Sequence, residues 1–376
     1  MKKRLHVLFL CGWYPSKVFP TNGDFIKRHA QAISMCHKVS VLHIVSRKEN
    51  EDEISIEIEI KNNIKTYIAY IKPNKNIFIK AARFFRAYSK VMISIGVVDL
   101  VHLNSIFPFG LFALYMKWLK KIPFLISEHW SGYKEGQINK ISFFEKTISK
   151  FITRHATFVC PVSENLKNSM LKFGLKGNYK PIPNVVDTDL FRQGIKDLNE
   201  FSIVHISSLK DNPKNISGML SVAKKLESAI GNFTWKFIGG KSDHFEALIK
   251  KLNFKKANIE FVPHISQEKL VAHLQSASLS VLFSHYENLP CVILESFACG
   301  TPVISTNVGG ISEYFPEKFG HLIPKQNETQ LLEKILEEHV NPNRYSDEMS
   351  LYAQEQFSKK TISHAFSKLY EQTIRS

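Results

Sequence analysis

Two glutamates eight residues apart, Glu287 and Glu295, bracket the stretch with the densest chemical content in the chain. The run Ser284-His285-Tyr286-Glu287-Asn288-Leu289-Pro290-Cys291-Val292-Ile293-Leu294-Glu295-Ser296-Phe297-Ala298-Cys299-Gly300-Thr301-Pro302-Val303-Ile304 reads as strand end, acidic loop, helix and next strand. Proline suits a first helical turn, where its missing N–H is no loss, and glycine commonly ends a helix in a left-handed cap. Pro290 and Gly300 therefore predict a helix of about ten residues over 290–299. Its amino end, around Asn288 to Cys291, offers backbone N–H groups and the positive end of the helix dipole to an anion, and a diphosphate fits there. Carboxylates accept hydrogen bonds from neighbouring hydroxyls. Glu295 is thus placed to hold a ribose diol and Glu287 the hydroxyls of a sugar, which makes the pair a grip on a nucleotide sugar and not an acid/base couple.

Such a loop-and-helix needs a rigid sheet behind it. At 376 residues the chain is long enough for two domains. Short apolar runs alternate with longer helical patterns in both halves, the signature of parallel βαβ units. The first half predicts strands at 5–10, 39–45, 99–103, 123–127 and 157–162, with its clearest helix at 24–36. The second predicts strands at 202–207, 234–238, 258–261, 279–283 and 302–306, alternating with helices at 215–230, 242–252, 266–275, 290–299 and 328–339. The expected fold class is α/β, with two Rossmann-like doubly wound parallel sheets facing across a cleft. The expected domains are 1–190, 191–345 and a helical tail, 346–376, packing back on the first domain.

In this frame the chain resembles family 4 of the retaining GT-B glycosyltransferases, whose Glu-x7-Glu signature matches Glu287 through Glu295 with the flanking Asn288-Leu289-Pro290 and Ala298-Cys299-Gly300-Thr301-Pro302-Val303. Asn184-Val185-Val186-Asp187 followed by Phe191 resembles the family's interdomain segment, with Val185 where glycine is usual. Pro161-Val162-Ser163-Glu164 resembles its strand-end serine motif. The resemblance assigns Lys214 to the donor diphosphate but finds Ser208 where the family has arginine, so either Lys210 supplies the second cation or Ser208 leaves that contact to backbone and water. It gives His264 and Ile265 to the base through their backbone, with uridine as the default nucleotide, and makes Gly309-Gly310 a second close-approach loop. In the first domain it places Asn22, Gly23 and Asp24 in a glycine loop near donor phosphate and acceptor and Glu128 beside the acceptor, and it makes His129, beside the transferred sugar, the catalytic partner of Glu287. His102 and Asn104 receive a pocket-lining role. The implied activity is retaining, with the leaving diphosphate stabilised by helix end and cations, no metal and no cofactor beyond the nucleotide sugar as co-substrate. The Asp187-Thr188-Asp189 triplet then belongs to the linker.

The charge is lopsided. Residues 1–190 carry 29 Lys and Arg against 14 Asp and Glu, a net +15, whereas 191–376 carry 21 against 20. A basic half attracts dense negative charge, whether lipid head groups, pyrophosphate-bearing acceptors or nucleic acid. No recognition motif supports nucleic acid. The segment 72–90 interleaves bases and large apolar groups at helical spacing, which fits an interfacial helix or a helix with one core face and one solvated basic face. The opening Met1-Lys2-Lys3-Arg4-Leu5 run lacks a small-residue cleavage site and reads as a first buried strand. No stretch approaches the roughly 20 apolar residues that cross a bilayer. Five scattered cysteines form no CxxC pair and fit reduced thiols. The expectation is a cytoplasmic enzyme, peripheral at the anionic inner membrane face, that moves a hexosyl or N-acetylhexosaminyl group to a glycan or polyprenyl-linked acceptor in surface polysaccharide or glycolipid synthesis. The other readings are a nucleotide-sugar epimerase or phosphorylase, and a non-catalytic nucleotide-sugar binder.

Overall fold

The computed structural model describes residues 4–49, 52–133, 141–194, 196, 200–342 and 345–375; the basic start Met1-Lys2-Lys3 lies outside them. The chain forms two compact units, Met1–Val185 with Lys359–Ser376, and Val186–Ser358.

The first unit runs β1 (His6–Cys11), α1 (Asp24–Ser34), β2 (Lys38–Ser46), β3 (Ile54–Lys61), β4 (Ile64–Ile71), α2 (Ile77–Ile95), β5 (Leu100–Asn104), α3 (Gly110–Lys120), β6 (Phe124–Glu128), α4 (Phe143–His155), β7 (Val159–Pro161) and α5 (Glu164–Phe173). Its sheet has the order β3-β4-β2-β1-β5-β6-β7, with only the β3–β4 pair antiparallel. Val7 through Cys11 are fully buried, as expected of a parallel strand covered on both faces. The β3–β4 hairpin was not expected. Asn62 and Asn63 turn it with φ of 50° and 62°, the two left-handed residues that a tight hairpin turn requires.

The second unit runs β8 (Ser202–Ile206), α6 (Asp211–Lys214), α7 (Ile216–Ile230), β9 (Thr234–Ile238), α8 (Glu246–Leu252), β10 (Asn258–Val262), α9 (Gln267–Ser276), β11 (Leu279–Leu282), α10 (Cys291–Ala298), β12 (Val303–Thr306), β13 (Gly320–Ile323), α11 (Glu328–Val340) and α12 (Ser346–Phe357). Its six strands are all parallel in the order β10-β9-β8-β11-β12-β13. Trp235 and Phe237 stack at the centre of its core, fully buried. In both sheets the chain leaves its first strand in one direction and later returns on the other side, so the crevices at β1/β5 and β8/β11 are topological switch points, where open α/β sheets bind ligands.

The tail is corrected. It does not pack as one segment on the first unit. α12 joins the second unit, where Tyr352 packs on Phe297 and Phe319, and Ser346 Oγ donates to the Gly300 carbonyl at 2.9 Å. α13 (Lys359–Thr373) joins the first, burying Ile362, Phe366 and Tyr370, four residues apart on one helical face, in the core that also holds Ile26 and Ala30 of α1. The unit boundary falls at Val185/Val186 rather than after residue 190, because the Val186 N–H donates to the Phe357 carbonyl at 2.9 Å. All five cysteines are free thiols.

Candidate functional site

Lys214 ends the one-turn helix after β8, and Glu287 lies in the loop after β11. Strands β8 and β11 are neighbours, so residues 73 apart in sequence meet at the switch point. Lys214 Nζ and a Glu287 carboxylate oxygen form an ion pair. The same oxygen accepts from Ser284 Oγ at 2.8 Å, and Thr306 Oγ1 ties the Ser284 carbonyl to β12 at 2.7 Å. Both charged side chains are mostly buried, at 17% and 12% exposure. Beneath them His205 is fully buried, with Nδ1 on the Val281 carbonyl at 2.9 Å and Nε2 on Ser207 Oγ at 2.7 Å. Burial pushes this imidazole down to about 3; the Val281 carbonyl opposes the shift and the Lys214 charge adds to it.

The acidic loop is clamped from the next strand. The Gly310 N–H donates to the Asn288 carbonyl at 2.8 Å, and Gly309, at φ 68°, lies so close that a Cβ there would collide with the carbonyl oxygens of Glu287 and Asn288. The paired glycines do mark a close approach, but to the protein's own backbone. Gly309→Ala should therefore lower the unfolding free energy by about 1–2 kcal/mol of left-handed strain or more, and should also weaken nucleotide-sugar binding. Denaturation with and without nucleotide sugar measures both.

Pro290 is the N-cap of α10 and not a first-turn residue, so the helix is eight residues long and starts at Cys291. The Pro290 side chain makes no cap hydrogen bond, and the start of the helix carries the positive end of its dipole. Leu289 is buried behind it, and Glu295 sits on the second turn at 3% exposure. Ser208 and Lys210 are exposed and line a cavity of about 510 Å³ together with Gly240 and Lys241 from the loop after β9. Lys241 was not anticipated; a lysine directly after a glycine pair carries no signal until the fold brings β9 beside β8. His264, exposed, and Ile265, half-buried, follow β10, two strands from β8.

The first-unit residues divide differently. Gly23 caps α1 at φ 81°, and a Cβ there would meet the Trp13 carbonyl carbon at 2.7 Å; the glycine is explained by the β1–α1 loop itself, with Asn22 exposed and Asp24 half-buried beside it. Glu128 is fully buried, and its carboxylate accepts from the N–H groups of His129 and Trp130, each at 2.9 Å, and of Ile106 at 3.3 Å. Burial pushes it up to about 7 against those amides. The carboxylate is engaged in holding the β5 and β6 loops. His129 packs on Phe25 at 4.5 Å and His29 at 5.3 Å between ring centroids. Burial and the His29 ring hold it well below the usual imidazole range, with Asn184 opposing, so it is neutral near pH 7. The pocket-lining role for His102 and Asn104 is corrected. Both are fully buried; His102 bonds the Tyr370 hydroxyl at 2.6 Å and Ser127 Oγ at 2.7 Å, and Asn104 Nδ2 donates to the His102 carbonyl at 3.1 Å. Asp187 opens a turn, its carbonyl accepting from Phe191 N–H at 2.7 Å, and no metal-binding cluster of His, Cys, Asp and Glu occurs among the described residues.

Two Rossmann-like doubly wound units in series, the second with a lysine–glutamate pair at its switch point, define the GT-B glycosyltransferase class. Residues 186–356 match the family model described as Glycosyl transferases group 1, and residues 26–190 match that of Glycosyltransferase Family 4; together the two span most of the chain, which is a glycosyltransferase. It is 27% identical over 329 residues to an uncharacterized glycosyltransferase of Methanocaldococcus jannaschii, covering 86% of each chain. Its fold is similar to that of sucrose-phosphate synthase from Thermosynechococcus elongatus, with a TM-score of 0.80, 18% identity and coverage of 98% of this chain and 99% of that one. Anabaena HepE in complex with UDP-glucose is similar at a TM-score of 0.74, 15% identity, 98% of this chain and 100% of that one.

Proposed function

We propose that the protein transfers a hexosyl or N-acetylhexosaminyl group, with retention, from a nucleoside diphosphate sugar, a UDP-sugar by default, to a glycan or polyprenyl-linked acceptor of surface polysaccharide or glycolipid synthesis at an anionic membrane face. The observation that carries this reading is the Lys214–Glu287 pair at the β8/β11 crevice, its glutamate in the loop that leads into α10. A diphosphate laid there meets the lysine charge and the helix dipole together. Glu287 then exchanges its lysine contact for sugar hydroxyls, and Glu295 on the same helix takes the ribose. The loop after β10 lies three strands from β11, about 14 Å at ordinary strand spacing, a gap suited to an extended nucleotide whose base pairs with the His264 and Ile265 backbone. Anabaena HepE, similar in fold, binds UDP-glucose.

In the transfer, the bond from the anomeric carbon to the diphosphate oxygen breaks while the acceptor hydroxyl oxygen bonds to the same face of the sugar. The hydroxyl proton leaves with the departing phosphate oxygen. Lys214 and the α10 amides stabilise the negative charge growing on that oxygen, which is electrostatic catalysis without a metal. His129, neutral, positions a hydroxyl and does not supply charge. The basic first half of the chain draws the phosphate-bearing acceptor or its membrane.

The test is a donor panel followed by proton NMR of the product. Selective stabilisation by one nucleotide sugar, turnover that survives chelator and an anomeric configuration equal to the donor's are the expected results. An inverted product, or hydrolysis and isomerisation without acceptor at the full rate, removes the proposal.

A further inference from the structure

In the first unit, α2 and α3 lie side by side, with Tyr88 stacked on Phe112 at 4.2 Å and Phe85 edge-on to Tyr115 at 6.0 Å. Above these pairs the helices part into a groove of about 580 Å³ lined by Ile77, Phe84, Phe85, Leu111 and Phe112, with Lys80 among them. A second groove of about 520 Å³ continues past Tyr115 along Met92, Ile93 and Val97 to Lys120. The surface around the grooves is apolar where water should favour polar groups. Asn76 caps α2 by accepting from the Phe78 and Ile79 N–H groups, and the turn it starts exposes Phe78 at 81%, while Ile93, Val97 and Phe143 are each more than four-fifths exposed. On α3, Trp118 meets Phe151 of α4 at 5.6 Å and extends the face. Patches of this extent mark interaction surfaces.

The charges on the face decide what covers it. Neither α2 nor α3 contains an acidic residue, and α2 carries Lys80, Arg83, Arg86 and Lys90, α3 Lys117 and Lys120, and α4 Lys146, Lys150 and Arg154. Glu53 pairs with Arg83 and Arg86, and α4 holds Glu145; the excess is strongly positive. A second copy would bring like charges together, whereas an anionic bilayer answers both the bases and the apolar side chains.

We propose that the α2–α3–α4 face seats on an anionic bilayer and that the α2–α3 groove holds the hydrocarbon chain of one anionic lipid. The inference deepens the membrane part of the proposed function and is independent of the donor site. It is tested on the full-length protein by co-sedimentation with vesicles of phosphatidylglycerol and phosphatidylcholine, against phosphatidylcholine alone. Partitioning should be about tenfold or more stronger on the anionic vesicles. Phe78→Ser with Leu111→Ser, both at exposed positions, should reduce it about tenfold while the melting temperature and its rise with nucleotide sugar stay as in the parent. Lipids brominated along their chains should quench bound protein, and Trp118→Phe should remove most of that quenching. Equal partitioning on both vesicle types, unimpaired binding by the double variant, or an unquenched Trp118 in sedimented protein would overturn the proposal. So would a dimer in solution that the double variant dissolves with no vesicle binding in the parent. A missing response to nucleotide sugar would instead count against the donor reading, leaving the vesicle result to stand or fall alone.

Discussion

Lys214→Ala is expected to lower the turnover number for sugar transfer by about 100-fold to 1000-fold, the range for removing one preorganised group facing developing charge. The lysine is held by Glu287 in a mostly buried pair at the switch point, so its charge needs little rearrangement when a diphosphate arrives. In the transition state the leaving oxygen gains charge that the intact sugar diphosphate lacks there, and the effect should fall on turnover more than on the Michaelis constant. Glu287→Gln should cost about as much, because it removes the partner that orients Lys214 and the acceptor for sugar hydroxyls together. The double variant should lose little beyond either single one, since residues acting as a unit are not additive. Initial rates over a grid of donor and acceptor concentrations measure all three. Full turnover in Lys214→Ala, or strictly additive losses, would show that the pair is structural.

The second large effect concerns acid. His205 in the second unit and His29 in the first are fully buried, and burial pushes them down from the ordinary 6.5 to about 3 and about 4. A base whose pKa is lowered by folding contributes stability in full above its unfolded value and loses it as pH falls toward the folded one. Each group costs about 1.4 kcal/mol per pH unit in that window, so between pH 6.5 and 5 each unit loses about 2 kcal/mol from this residue alone. Burial also lowers His43, His102 and His129. Glu128 works the other way: its carboxyl, raised to about 7 from 4.5, favours the folded state increasingly as pH drops through that range. It offsets about one histidine, and only in the first unit. Against a typical domain stability of about 5–15 kcal/mol, the roughly 3 kcal/mol that His205 withdraws by pH 4 should weaken the second unit strongly without unfolding it by itself. Urea unfolding across pH 5–8, followed by Trp235 fluorescence, should show the slope, and His205→Gln should flatten it even if its stability is lower at pH 8.

The β3–β4 hairpin shows what a βαβ reading passes over. Ile54-Ser55-Ile56-Glu57-Ile58-Glu59-Ile60 alternates at period two in sequence, though from Ile58 onward both faces are exposed, and the Asn62-Asn63 turn is a hairpin signal. Both were legible, but a search for continuous buried runs does not pick up a strand at the sheet edge. β13, four residues beginning with a glycine, is too short for periodicity to register. His102 illustrates the opposite failure. A polar residue at a strand end suggests a ligand pocket, yet its partner is Tyr370, 268 residues away on the last helix, and no local pattern contains that contact.

Sequence by itself determined the two doubly wound sheets, the acidic loop before α10 and the identity of Lys214, because strand and helix periodicity and turn chemistry are local. Tertiary structure decided which of those groups meet. Strand order put β8 beside β11 and so joined Lys214 to Glu287; the Gly309 loop then fixed the glutamate's backbone, and burial by distant segments turned Glu128 and His102 into internal fixtures. Pairing across a parallel sheet is set by crossover connections and core packing, which act between residues far apart in the chain.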